Sequence, residues 1–414
     1  MLAPSKTFVK PEPGFVEFVA LIASLMAMGA LGIDSMLPAL PLIGQALHVK
    51  VANHLQWVIS AYFFGMGGGQ LVVGTMSDWL GRKRVLLVGM AAYVIFGLIA
   101  ATSPSFVMLL LVRILQGAAA STSNVITRSI IRDRYSGPRM AKVMSISYVI
   151  FLIAPILAPS VGQLILLVAP WQAIFLAIAA YAAVVSLWVM LRLPETHPIP
   201  LRFKPDVAHL RRVAVFVLTE PSSLFYTIAV GLLFGSLMAY VSLMPQIFHD
   251  VFARPALMAP IFAVCAATMG AGSMLNAGLV ERLGLKRISH TALTSFIAIT
   301  AIHLLWTRTI GESVLSFVVL QAATMGCLSL TSSNFSTIAM EKVGHVAGTA
   351  ASIQAVATTI LGTIVASIMG QFWHGDISLL PLTAGMCGLA AIALVATGER
   401  GRLYHNAPAD IARD

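Results

Sequence analysis

The sequence predicts an all-α integral membrane protein of twelve transmembrane helices arranged as two pseudo-symmetric six-helix bundles. Two observations carry that expectation. Of 414 residues, 58% are hydrophobic and only 10% charged, with a mean hydropathy of +0.89, which leaves too little polar surface for a water-soluble chain of this length. The second observation is an internal repeat. Residues 74–84 (GTMSDWLGRKR) and 277–287 (AGLVERLGLKR) are versions of one another, half a chain apart. A short loop of glycines, an acid and basic residues recurring between apolar segments at that interval marks two related bundles built around a central site.

Each span follows from length. A bilayer core about 30 Å thick requires about 20 apolar residues per helix. In the first half the segments 15–40, 52–75, 85–102, 105–127, 142–168 and 171–191 satisfy this, and in the second 222–247, 256–280, 288–306, 312–337, 347–370 and 377–397. Between them, residues 192–219 carry Pro194, Pro198, Pro200 and Pro205 among Arg202, Lys204, Arg211 and Arg212, too polar and too broken to cross. This stretch is expected to be a cytoplasmic linker between an N-terminal bundle, 1–191, and a C-terminal bundle with a short cytoplasmic tail, 220–414. The polar start runs into an apolar segment longer than a signal-peptide core, so the first span is expected to be retained.

The net charge of +10 is explained by topology. With both termini in the cytoplasm, every Lys and Arg falls on the inner side except Lys50, Arg254 and Arg308 outside and Arg113 within the membrane, the distribution that the positive-inside rule requires. Nucleic-acid binding is therefore not expected. Cys265, Cys327 and Cys387 lie in apolar segments without CxxC pairing, so neither disulfides nor a metal site is indicated, and they read as small core residues.

Asp34 and Arg113 are the two ionisable residues deep in spans. Asp34 precedes Leu37-Pro38-Ala39-Leu40-Pro41, where the prolines are expected to bend or loosen the helix. Arg113 lies about eight residues, roughly 12 Å, from the outer start of the fourth span. Neither charge belongs in lipid, so each is expected to face a water-filled cavity or the other. A cavity-facing acid exchanges its proton as its access to water and its neighbouring charges change. The alternatives are a static pair pinning the first helix to the fourth, or no contact at all.

In the first loop, Gly74 and Gly81 allow close approach of helix ends, while Asp78 with Arg82, Lys83 and Arg84 can bond in one state and release in another, as a conformational latch. An anchor on anionic lipid explains the basic cluster but not the repeated acid and glycine. The pattern Gly74-x-x-x-Asp78-x-x-Gly81-Arg82-Lys83-Arg84 resembles the signature loop of the major facilitator superfamily. Four further segments resemble its proton-coupled drug exporters of the bicyclomycin and chloramphenicol resistance group: residues 34–41 (DSMLPALP), 113–117 (RILQG), 154–162 (APILAPSVG) and 193–196 (LPET).

That resemblance implies the major facilitator fold, Asp34 as the proton-carrying acid and Arg113 as a basic residue linked to proton transfer. It also implies an antiporter motif at Pro155, Pro159 and Gly162, whose prolines and small residues bend a helix and smooth its surface. Ala158, Gln163 and Gln172 depart from the family's usual Gly, Gly and Arg. Tyr62, Tyr148, Tyr240, Asn334 and Gln354 are polar or aromatic residues within spans of both halves and are candidates to line a substrate cavity, or else to bridge helices.

The resulting expectation is a proton-coupled antiporter exporting amphipathic or aromatic compounds across a bacterial inner membrane by alternating access. A specific metabolite exporter or a proton–nutrient symporter of the same fold is the alternative. The expected partners are a small-molecule substrate, protons and the bilayer; one bundle pair suffices, so a functional monomer is expected. No cofactor is expected, because the chain has no His-Glu-x-x-His, Gly-x-Ser-x-Gly or Gly-x-x-x-x-Gly-Lys-Ser/Thr motif for metal, acyl or nucleotide chemistry. A receptor or scaffold is not expected, because this sequence carries no extra soluble segment through which to signal.

Overall fold

A computed structural model describes residues 13–135, 143, 157–197, 207–341, 343, 347–399 and 403–404. Among the described residues every regular element is helical. The first half contains α1 (Phe15–Asp34), α2 (Leu40–Ala46), α3 (Trp57–Leu80), α4 (Arg82–Ala101), α5 (Phe106–Arg134), α6 (Leu157–Val168) and α7 (Gln172–Arg192). An intervening helix, α8 (Val207–Thr219), is too short to cross a bilayer. The second half contains α9 (Pro221–Gln246), α10 (Met258–Leu283), α11 (Leu285–Thr309), α12 (Val314–Glu341), α13 (Ala347–Gln371) and α14 (Leu379–Gly398).

Eleven described segments are long and apolar enough to span a membrane, and α6 adds a shorter apolar helix within the expected fifth span. Large apolar side chains face outward along the spans, Val168 at 87% exposure and Leu305 at 65% among them. In water such a surface is untenable; in a bilayer it is the solvated face.

Local sequence explains how the segments break. Pro38 has no amide hydrogen for the carbonyl of Asp34, nor Pro41 for that of Leu37. The first span accordingly leaves regular α-helix at Asp34, passes through a 3-10 turn at Leu37–Ala39 and resumes as α2. The repeated loop folds alike in both halves. Gly81 and Gly284 have φ of 99° and 78°, a region in which side chains are strained, and each is the sole residue between two consecutive spans.

Within the first half α3 and α5 meet backbone to backbone: Gly65 lies against the Ile114 carbonyl and Gly117 against that of Tyr62. Any side chain at either glycine would collide with main chain, the small-residue logic of helix association in lipid. The two halves meet near the start of α3. There the Gln56 amide donates to Gln246 at 2.5 Å, Gln246 donates to Asn53 at 3.3 Å, and Asn53 donates to the Trp373 carbonyl at 2.7 Å. One turn further along α3, the hydroxyls of Ser60 and Ser367 are 2.8 Å apart, and Phe63 packs edge-on against Phe234 at 5.9 Å. Toward the opposite end, where Gly81 and Gly284 turn, the halves part around a cavity.

Candidate functional site

That cavity has a volume of about 970 Å³ and runs from Asp34 and Tyr240 to Arg132 and Met340, near the ends of α5 and α12. Helical spacing selects its walls. On α1 the lining residues Met26, Gly29, Ala30, Ile33 and Asp34 form one stripe, as do Phe63, Met66 and Gln70 on α3. Most of the lining is apolar, with six methionines and Phe63, Phe234 and Phe262, a deformable surface for ligands of varied shape.

Asp34 is the one acidic residue among the described lining residues. It is 7% exposed and has no hydrogen-bond or ion-pair partner among the described residues. Arg113 is fully buried nearby but does not pair with it. Its guanidinium donates to the carbonyls of Gly32 at 3.1 Å and Val58 at 3.3 Å and to the Gln116 side chain at 2.7 Å. It also stands 4.3 Å from the Tyr62 ring centroid, within cation–π range. The cation is thus solvated by neutral groups, two residues along α1 from an acid that is left open to the cavity.

Of the expected cavity residues, Tyr240 and Gln354 line the wall. Tyr240 stacks on Phe262 at 5.8 Å and its buried hydroxyl has no hydrogen-bond partner among the described residues; Gln354 accepts from Ser336 at 3.3 Å. Tyr62 is drawn away to face Arg113. Asn334 is drawn away by reciprocal amide bonds to Asn276 at 2.8 and 3.1 Å, which satisfy it between α10 and α12. Tyr148 and Pro155 lie outside the described residues. Pro159 and Gly162 belong to α6, where Gly162 lies against the Ser35 carbonyl and Pro38, so this helix packs on the break in the first span.

At the loop, Arg82 organises a cluster. It contacts Asp78 at 2.5 Å, Asp133 at 3.0 Å and the Ser77 hydroxyl at 2.6 Å. The carboxylate of Glu195 accepts from the Arg82 amide at 2.9 Å, an acid at a helix N-terminus with its exposed amides and positive dipole end. Thr196 donates to Asp133 at 3.3 Å, and Arg84 points outward. Gly74 lies against Ser352 of α13. Asp133 was not expected from the loop motif; an acid between Arg132 and Arg134 was its only sequence signal. In the second half Lys286 bonds Glu399 at 2.7 Å, and Glu399 also accepts from Tyr226 at 3.1 Å. In both halves, then, the loop is tied to an acid just beyond the last span of its bundle.

Two helical halves of membrane-spanning length flanking a central cavity are the arrangement of a multi-pass membrane transporter. The chain belongs to the Major Facilitator Superfamily, whose family model matches residues 20–367. It is 32% identical over 384 residues to the MFS-type transporter YdgK of Bacillus subtilis, covering 91% of this chain and 93% of that one. It is 25% identical over 376 residues to a bicyclomycin resistance protein homolog of Haemophilus influenzae, covering 91% and 94%. A D-xylose-proton symporter shares the fold at a TM-score of 0.75 and 13% identity, covering 92% of this chain and 97% of that one.

Proposed function

We propose that this transporter is a proton-coupled antiporter that exports amphipathic, drug-like compounds across a bacterial inner membrane by alternating access. The observation that carries the reading is Asp34: a buried carboxylate with no counter-ion among the described residues, on the wall of a largely apolar cavity. An unpaired charge in such a place is costly, so binding a proton, or a substrate that reorganises the site, changes which conformation is favoured. The similarity to a bicyclomycin resistance protein homolog supports drug export over sugar uptake.

Positive-inside topology makes the Arg82 end cytoplasmic with both termini, and the cavity then faces inward. The halves 1–191 and 220–414 rock about it, joined by 192–219. As that side closes, the Arg82 cluster is rearranged, while the Asn53–Gln56–Gln246 contacts part. Asp34 is then exposed outside for protonation and inside for release, and a single chain suffices.

The test is transport by inverted membrane vesicles containing wild type or Asp34→Asn at equal amounts, with an imposed pH gradient and a panel of toxic amphipaths. Substrate-dependent collapse of the gradient is expected in wild type and lost in Asp34→Asn. Undiminished coupling in that variant refutes the assignment. Coupling only to a sugar or single metabolite, with proton and solute moving together, identifies a symporter instead.

A further inference from the structure

Beyond α14 the chain returns to the start of α11. The Tyr404 amide donates to His290 Nδ1 at 3.2 Å, the hydroxyls of Tyr404 and Thr294 are 2.9 Å apart, and the Tyr404 ring stands edge-on to the imidazole at 5.7 Å. Beneath this cover His290 is fully buried, close to the Gly284 turn.

The donors and acceptors fix where the ring carries its proton. A main-chain amide can only donate, so Nδ1 presents its lone pair and the hydrogen of the neutral imidazole sits on Nε2. Nε2 lies 3.2 Å from the Tyr226 hydroxyl and donates to it. Tyr226 gives its single hydroxyl hydrogen to Glu399 at 3.1 Å, and Glu399 takes a further bond from Lys286 at 2.7 Å. Both ring nitrogens are therefore committed, and the row from Tyr404 to Lys286 has no place for another hydrogen.

A second proton on the ring has to sit on Nδ1, where it meets the Tyr404 N–H. Two donors then face each other without an acceptor, and a buried hydrogen bond is lost. Among the described residues, the titratable and charged groups around the ring are Tyr226 of α9, Lys286 of α11, Glu399 beyond α14 and Tyr404, with Glu341 of α12 acting on Tyr226 by charge. From α12 the aromatic Phe335 is 5.8 Å away. Lys286 and Glu399 offset each other in charge, and the bonds of Glu399 go to Tyr226 and Lys286, not to Nδ1.

We propose that the Tyr404 segment is a proton-released clasp: it docks only on neutral His290, so docking and protonation of the ring exclude one another. The topology above serves only to place the clasp in the cytoplasm. Release uncovers the His290–Tyr226–Glu399–Lys286 row that ties down the second-half loop. Once uncovered, the ring meets water and titrates near the ordinary histidine value of about 6.5. By linkage, undocking is then favoured about ten-fold more at pH 5.5 than at pH 7.5.

The test is hydrogen–deuterium exchange resolved at the Tyr404 amide in purified full-length protein, expressed as protection relative to an unstructured peptide at the same pH. Protection is expected to fall about ten-fold from pH 7.5 to pH 5.5 in wild type. In His290→Gln, whose side-chain oxygen can accept the same bond without titrating, it is expected to change less than two-fold. His405→Gln, which removes the neighbouring titratable residue, is expected to keep the wild-type response. Constant protection in wild type overturns the clasp, as does a ten-fold fall in folded His290→Gln. Loss of the response in His405→Gln overturns it as well, and does not depend on how His290→Gln folds.

Discussion

Arg113 donates to the carbonyl of Gly32 at 3.1 Å and so approaches the helix that carries Asp34 without neutralising it. Three neutral acceptors and an aromatic face take the place of a counter-ion. Removing the guanidinium therefore deletes three buried hydrogen bonds from a charged donor, which costs on the order of 2–4 kcal/mol. Arg113→Ala is expected to lower the thermal unfolding temperature in detergent clearly, and Arg113→Lys, which cannot reproduce the planar fork, to recover only part of it. Wild-type stability in Arg113→Ala would show that these bonds are dispensable.

Arg82 joins α3, α4, α5 and the segment beyond α7 through Asp78, Asp133 and the Glu195 contact to its amide. Arg82→Ala is expected to reduce transport by at least ten-fold at equal membrane levels while leaving substrate binding within two-fold. Loss of binding in proportion to transport would place Arg82 in substrate recognition instead.

Ser60 and Ser367 belong to opposite halves, with hydroxyls 2.8 Å apart. With Cys265, Cys327 and Cys387 replaced, the Ser60→Cys/Ser367→Cys pair is expected to form a disulfide under mild oxidation and to stop transport, with recovery on reduction. Full activity with the bond formed would mean that the halves need not separate there.

Glu312 lies in the short connection between α11 and α12. Burial raises its affinity for a proton, but bonds from His303 at 3.1 Å, Ser316 at 2.6 Å and Thr307 at 2.5 Å prevail and hold it below the ordinary carboxylate range. A carboxyl held low in the folded state stabilises above its unfolded pKa, and that contribution is lost as pH falls through the folded value. Thermal scans from pH 7 to pH 3 are expected to show an acid-side loss of stability that Glu312→Gln flattens. Parallel curves for the two proteins would remove Glu312 from the acid response.

The spans were legible because length and apolarity alone identify them, and the Asp34 break because proline withholds specific amides. The cavity wall was not. A membrane helix is apolar toward lipid and toward its neighbours alike, so periodicity does not say which face looks inward. Asn334 and Gln70 illustrate this: both are amides within apolar helices, yet one is satisfied by Asn276 and the other lines the cavity. The role of Asp133 depends on α5 reaching the turn after α3, a tertiary fact with no local signature. The loop repeat was more informative, since Gly81 and Gly284 adopt the same uncommon backbone conformation.

The contacts among Asn53, Gln56, Gln246 and the Trp373 carbonyl contain no formal charge. Parting them exchanges amide bonds within the protein for bonds to water, a trade of small net free energy, and moves neither protons nor ions. External acidity and ionic strength consequently have little direct hold on this door. In the proposed alternating-access cycle its latching is left to the intrinsic balance between two shapes of the molecule, which cargo or a hydrogen ion deeper inside would tip.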